Sequence, residues 1–313
     1  MGKIAFIFPG QGSQFVGMGQ NLIDHKQDIQ AVFKTADEQL GYGLSNIMLN
    51  GPEEMLKRTE NTQPALLTMS VAVLEALKAY DITPDYVAGH SLGEYSALVC
   101  AKSLSFEEAV YAVRQRGLFM EAAVPAGEGA MAAILGMDRD LLQEVTEAVS
   151  NNGDAVQLAN LNCPGQIVIS GTAEGVHKAS ELAKEKGAKR AIPLQVSGPF
   201  HSSLMKPAAE KLTKVLDEIT ISEAKVPVIA NVTADVVTDA TQIKEKLIEQ
   251  VYSPVLWEDT VRRLLDLGVD TFIEVGAGNV LSGLVRKVER RVNVYAISDI
   301  ESIEAMVTKL KGE

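Results

Sequence analysis

The chain has 313 residues, 46% of them apolar and 22% charged; these are globular values and exclude extended disorder. Lys and Arg number 29 against 41 Asp and Glu, a net charge of −12, and that balance speaks against a nucleic-acid protein, whose phosphate partners require a basic footprint. No apolar run of about 18 residues is present to span a membrane, and Cys100 and Cys163 are too few for a disulfide framework or a four-thiolate zinc site.

Residues 3–8 read as a buried strand, their apolar stretch too short for a signal peptide, and they run into a Gly-rich turn, Pro9-Gly10-Gln11-Gly12-Ser13-Gln14. Residues 63–80 read as a mostly apolar, buried helix. A short strand over 85–90 runs into a sharp turn, a helix over 94–99 follows it, and residues 106–123 form a second strong helix. Further β-rich runs lie at 226–230 and 271–275. The alternation predicts a parallel sheet with helices on both faces.

The middle of the chain differs. A strand at 129–136, a helix at 138–150, strands at 156–160 and 166–170, a helix at 175–186 and a strand at 189–196 spell βαββαβ, the split pattern of a small ferredoxin-like unit. The expected architecture is therefore α/β: a large discontinuous domain, residues 1–127 and 198–313, interrupted by a ferredoxin-like α+β subdomain at 128–197. Two cysteines in a chain of this size suit reduced thiols and a cytoplasmic protein.

Gly89-His90-Ser91-Leu92-Gly93 matches G-x-S-x-G and lies between a predicted strand and a predicted helix, the context of a nucleophile elbow. Ser91 then needs a base. His25 and His177 sit in polar helical surroundings that suit a solvated side chain, and His90 adjoins Ser91 without the geometry to deprotonate it. His201, in the loop-like run Gly198-Pro199-Phe200-His201-Ser202-Ser203, is the base by elimination. No carboxylate is an obvious third member. An amide residue near a later strand end, Asn231 or Gln250, is able to supply the orienting oxygen by side chain or main chain.

Backbone N–H groups at Gln11 and Leu92 offer an oxyanion hole. A dinucleotide loop fails on spacing, since the third glycine of G-x-G-x-x-G falls on Phe15 and, in the second instance, on Leu281. On the helix at 106–123, Arg116 shares its flank with Ala109, Ala112, Phe119 and Ala123. An arginine in that setting needs a partner, either a substrate carboxylate gripped by its fork or an acid from another element. Arg114, on the opposite flank with Glu107, Tyr111 and Glu121, suits a solvated, paired side chain.

Phe8-Pro9-Gly10-Gln11-Gly12-Ser13-Gln14 together with Gly89-His90-Ser91-Leu92-Gly93-Glu94-Tyr95 resembles the malonyl-CoA:acyl carrier protein transacylases of bacterial type II fatty-acid synthesis. Gln115-Arg116-Gly117, Asn160-Leu161-Asn162-Cys163-Pro164-Gly165-Gln166, Pro199-Phe200-His201-Ser202-Ser203-Leu204-Met205, Asn231-Val232-Thr233 and Glu274-Val275-Gly276 follow in family order over nearly the whole chain.

The resemblance implies a hydrolase-like α/β domain with the inserted ferredoxin-like subdomain, Ser91 as the acylated nucleophile and His201 as its base. It implies oxyanion amides at Gln11 and Leu92, a main-chain oxygen at Gln250 orienting His201, and Arg116 as the clamp on the malonyl carboxylate. Phe200 resembles the malonyl-selecting arrangement of related polyketide acyltransferases, and Asn160 and Asn162 fall among the substrate-binding positions. The implied reaction passes malonyl from malonyl-CoA to the phosphopantetheine thiol of acyl carrier protein, with no cofactor, metal or membrane involved. A serine esterase or thioesterase is the rival reading. The carrier is acidic, so docking is expected at a basic cluster: Arg286 and Lys287, or Lys189 and Arg190.

Overall fold

The structure, a computed structural model, describes residues 2–25 and 27–311. Met1, Lys26, Gly312 and Glu313, which the expected large domain includes, lie outside the described residues. In chain order the strands are β1 (Lys3–Phe8), β2 (Tyr86–Gly89), β3 (Gly129–Leu135), β4 (Val156–Cys163), β5 (Gln166–Thr172), β6 (Arg190–Pro193), β7 (Val228–Ile229), β8 (Val236–Val237), β9 (Val269–Val275) and β10 (Asn293–Ile297).

Six of them form one sheet in the order β10-β9-β1-β2-β7-β8. Every pairing in it is parallel except β7 with β8, so the expected all-parallel sheet carries a short antiparallel edge strand. Two-residue β8 lacks the run of alternating or apolar residues that would announce a strand. β1 is buried from Ile4 to Phe8, as a central strand covered by helices on both faces must be. The second sheet is antiparallel throughout, in the order β4-β5-β3-β6.

Boundaries moved where polar residues are buried. The helix expected to start at Gln63 runs over Thr59–Leu77, because Thr59, Asn61 and Thr62 are enclosed although polar; an apolar pattern cannot mark them. β4 and β5 extend further than expected and close through Pro164-Gly165, with Gly165 at φ 72°, a conformation glycine adopts without strain. β6 is shorter than the run at 189–196: Leu194 still donates its N–H to the Met131 carbonyl at 2.9 Å, and Leu194 and Val196 line the cavity beside Ser91.

The carboxyl ends of β1, β2 and β7 lie side by side, the edge where parallel α/β sheets bind ligands. The small sheet reaches that edge through β4: Leu161 donates its backbone N–H to the Val255 carbonyl at 2.9 Å, and the Val255 N–H returns a bond to Ala159 at 2.8 Å. Among the described residues no helix is long and apolar enough to cross a membrane.

Candidate active site

β2 ends at Gly89 and the helix Gly93–Cys100 begins four residues later. Between them Ser91 adopts φ 53°, a left-handed conformation that strains a residue with a Cβ and is characteristic of functional turns. Two glycines make the turn possible. A Cβ on Gly89 would stand 1.9 Å from the Gly93 carbonyl group, and one on Gly93 would stand 2.1 Å from the Phe8 oxygen. Asn231, just beyond β7, pins the turn: its Oδ1 accepts the Ser91 N–H at 2.7 Å and its Nδ2 donates to the Gly89 carbonyl at 2.6 Å.

Ser91 Oγ lies 2.8 Å from His201 Nε2, and His201 Nδ1 lies 2.7 Å from the main-chain oxygen of Gln250. A carbonyl only accepts, so Nδ1 carries the proton and Nε2 presents its lone pair to the serine hydroxyl. The orienting oxygen is thus the main chain of Gln250; the Asn231 side chain holds the elbow instead. His201 is 3% exposed, and burial, followed by the positive charge of Arg116, lowers its pKa to about 3. The imidazole is therefore neutral, with Nε2 unprotonated, over the physiological range. His201 is also left-handed, at φ 57°. Its loop is tied by Ser202 Oγ to the Pro199 carbonyl at 2.6 Å and by the Ser203 N–H to Gln157 Oε1 at 2.9 Å.

Arg116 is 1% exposed. Its Nη1 donates to Gln63 Oε1 at 2.7 Å; its Nη2 donates to Gln250 Oε1 at 2.8 Å and to Ser91 Oγ at 3.1 Å. An acid from another element was one of the two expected partners; two amide oxygens take that place. The guanidinium also stands 5.8 Å from the centre of the Tyr95 ring. Its Nε has no hydrogen-bond partner among the described residues. Arg114 is held by Asn61 Oδ1 at 2.8 Å and lies over the Tyr42 ring, so its partners come from other elements, not from the glutamates of its own flank.

A cavity of about 130 Å³ is lined by Gln11, Ser91, Leu92, Arg116, Asn160 and Phe200, among others. Its size suits a short acyl group, well below the usual pocket for a drug-sized ligand. Among the described residues neither the Gln11 nor the Leu92 backbone N–H has an acceptor, whereas the Ser91 N–H is taken by Asn231. An adjoining cavity of about 180 Å³ also borders Gln11, His90 and Asn160, and adds Asn162 and Gln166. Asn162 is engaged through Oδ1 with His90 Nε2 at 2.9 Å, which turns His90 away from the nucleophile.

The basic residues lie outside this constellation. Lys189 and Arg190 are exposed at the start of β6. Arg286 donates to the Val294 carbonyl at 3.0 Å, and Lys287 reaches Gln166 Oε1 at 2.9 Å, at the wall of the second cavity. Sequence reasoning missed Gln63 as a partner of Arg116, Asn231 as the clamp of the elbow, and Glu94. The available signal for Glu94 was a carboxylate in the otherwise apolar or small helix Gly93–Cys100; Gln63 sits among other polar residues at the start of its helix and carried no such signal.

The acyl transferase domain family matches residues 5–310. The malonyl CoA-acyl carrier protein transacylase of Bacillus subtilis (strain 168) is 63% identical over 313 residues, covering 100% of this chain and 99% of that one. Its counterpart in Staphylococcus aureus (strain MW2) is 46% identical over 304 residues, 97% of this chain and 98% of that one. Among solved structures, the transacylase of Coxiella burnetii superposes with a TM-score of 0.96 at 42% identity, over 98% of both chains. A malonyl-transacylase solved in complex with its type II PKS acyl-carrier protein gives 0.95 at 41% identity, over 99% of this chain and 100% of that one.

Proposed function

The chain belongs to the acyl transferase domain family, and we propose that it is a malonyl-CoA:acyl carrier protein transacylase working through an acyl-serine. The observation that carries the reading is the continuous chain Gln250–His201–Ser91 with the buried Arg116 guanidinium against the same hydroxyl.

In the first half-reaction Ser91 Oγ passes its proton to His201 Nε2 and attacks the malonyl thioester carbonyl. The oxyanion forms against the N–H groups of Gln11 and Leu92, where preorganised donors act without solvent rearrangement. The tetrahedral intermediate collapses, the C–S bond breaks, and the coenzyme A thiolate leaves with the proton from Nε2. Malonyl remains as an ester on Ser91. In the second half-reaction the carrier's phosphopantetheine thiol gives its proton to His201 Nε2 and attacks that ester, and Ser91 leaves with the proton. Arg116 exchanges amide oxygens for the malonyl carboxylate, a charge-assisted and bidentate contact. Phe200 bounds the acyl cavity, and Asn160 and Asn162 border the approach taken by the thioester arm.

The division into a hydrolase-like domain (1–127 and 198–313) and a ferredoxin-like insertion (128–197) belongs to this reading. It is supported by the parallel pairings around β1 and by the antiparallel order β4-β5-β3-β6 with two helices between its strands. The acidic carrier docks against Arg286 and Lys287, with Lys189 and Arg190 as the second basic face, and the enzyme works in the cytoplasm.

Intact mass after mixing with malonyl-CoA tests the reading. The expected result is a malonyl adduct that is absent in Ser91→Ala and discharged by a carrier thiol. Rapid multiple-turnover hydrolysis without an adduct would overturn it in favour of an esterase or thioesterase.

A further inference from the structure

Two carboxylates are buried among the described residues, Glu94 and Glu274. Glu274 caps a helix, accepting the N–H groups of Leu281 and Ser282 at 3.0 and 2.7 Å. Glu94 lies in the first turn of the helix Gly93–Cys100, yet its carboxylate bonds elsewhere: Oε2 accepts from Gln250 Nε2 at 2.7 Å and from the Asn231 N–H at 3.2 Å. The mechanism above gives it no task.

Its contact with Gln250 decides which way that amide faces. Gln250 Nε2 is held by Glu94 Oε2 and by the Ser91 carbonyl at 2.9 Å, so Oε1 points to Arg116 Nη2 at 2.8 Å. A flipped amide would set its NH₂ against the guanidinium and its oxygen against the carboxylate, two repulsive contacts inside a dry site. Burial raises the Glu94 pKa to about 7, against the lowering by Gln250, Asn231 and Arg116, so above that pH it sets a negative charge one amide away from a buried arginine that has no direct ion pair. A direct bridge would occupy the guanidinium fork and compete with an incoming carboxylate. With the amide between them, the fork is held by neutral oxygens of Gln63 and Gln250, which an incoming carboxylate displaces more readily than it would a bound carboxylate.

We propose that Glu94 is a positioning residue for malonyl recognition: through the Gln250 side chain it holds the Arg116 guanidinium beside Ser91, ready to exchange an amide oxygen for the substrate carboxylate. This rests on Arg116 being the carboxylate clamp.

The test compares Glu94→Leu, which removes acceptor and charge, with Glu94→Gln, which keeps an acceptor of the same shape. Two probes are read: the malonyl-CoA concentration giving half-maximal adduct formation, and the rate of Ser91 inactivation by an uncharged sulfonyl fluoride. Glu94→Leu is expected to raise the former about 10-fold or more while moving the latter less than about 3-fold, and Glu94→Gln to recover most of the difference. In an Arg116→Ala background, adding Glu94→Leu is expected to change neither probe further. Equal slowing of both probes, no effect on either, or additive effects in the double variant would overturn the proposal. Should Glu94→Leu fail to fold, Glu94→Met, an unbranched side chain that also removes acceptor and charge, is read by the same outcomes. Absence of any adduct in the wild type would instead remove the acyl-serine reading itself.

Discussion

Nη2 of Arg116 donates to Oγ of Ser91 across 3.1 Å, while the same hydroxyl faces Nε2 of His201 at 2.8 Å. The hydroxyl thus donates to a neutral imidazole and receives a hydrogen bond from a buried cation. A cation at that position stabilises a developing alkoxide, and under the proposed function it is also the group that receives the malonyl carboxylate. Under the proposed function one guanidinium serves nucleophile and substrate selection together.

Arg116→Ala accordingly separates charged from uncharged acyl groups. Removing a buried, charge-assisted contact is worth about 2–5 kcal/mol, so kcat/KM for malonyl-CoA is expected to fall between about 30-fold and several thousandfold. Acylation by an uncharged acyl-CoA such as acetyl-CoA, measured by intact mass, is expected to fall far less. Equal losses would show that Arg116 acts on the serine alone.

The lowered pKa of His201 shapes the acid limb of the rate. An ordinary histidine would be half protonated near 6.5, whereas burial and Arg116 hold His201 at about 3. Single-turnover acylation is therefore expected to keep its rate down to about pH 5, where an unperturbed base would be almost entirely lost. Stability carries the opposite sign. The unfolded chain binds a proton at about 6.5 and the folded one only at about 3, so this group's contribution is complete above 6.5 and is lost as pH falls through that window. Replacing His201 with Gln should flatten the corresponding part of the stability curve in urea titrations.

Much of this site was legible in the sequence because its chemistry is local. The G-x-S-x-G spacing follows from two approaches of backbone to backbone, at Gly89 and Gly93, that no larger residue can make. His201 emerged from four histidines because the other three have solvated or adjacent positions. What stayed hidden was set by the fold. Asn231 and Gln250 are 140 and 159 residues from Ser91, and nothing in their own neighbourhoods says which of them supplies a side chain and which a main-chain oxygen. The buried polar start of the helix Thr59–Leu77 and the two-residue strand β8 were missed for a related reason: tertiary partners, not local patterning, hold them in place.

Gly93 of the elbow is expected to differ from Gly12 of the first turn. Gly93→Ala would place a Cβ 2.1 Å from the Phe8 oxygen, a clash with backbone that only displacement of β1 or the helix relieves, and its loss of stability is expected to exceed about 3 kcal/mol. Gly12 is also left-handed, at φ 104°, but a Cβ there meets nothing within 4 Å. Gly12→Ala then carries conformational strain alone, about 1–2 kcal/mol. Urea titration of the two variants checks the order, and the reverse order would contradict the packing described at β2.

The last prediction turns on net charge. At −12 the chain as a whole repels an acidic carrier, so its docking has to depend on local basic groups. Lys287 is placed for this: its ammonium reaches Gln166 Oε1, which borders the cavity shared by Gln11, His90 and Asn160, so a carrier held there would set its phosphopantetheine arm at the cavity wall. Reversing the charge of Arg286 and Lys287 together is expected to raise the carrier KM about 10-fold at low salt, with the difference shrinking as ionic strength rises toward 0.5 M or so. Adduct formation from malonyl-CoA is expected to stay within about 3-fold of the wild type, since it needs the cavity and not the protein surface around it. Carrier kinetics unchanged in that double reversal would move docking to Lys189 and Arg190, whose own reversal would then have to produce the salt-dependent KM change.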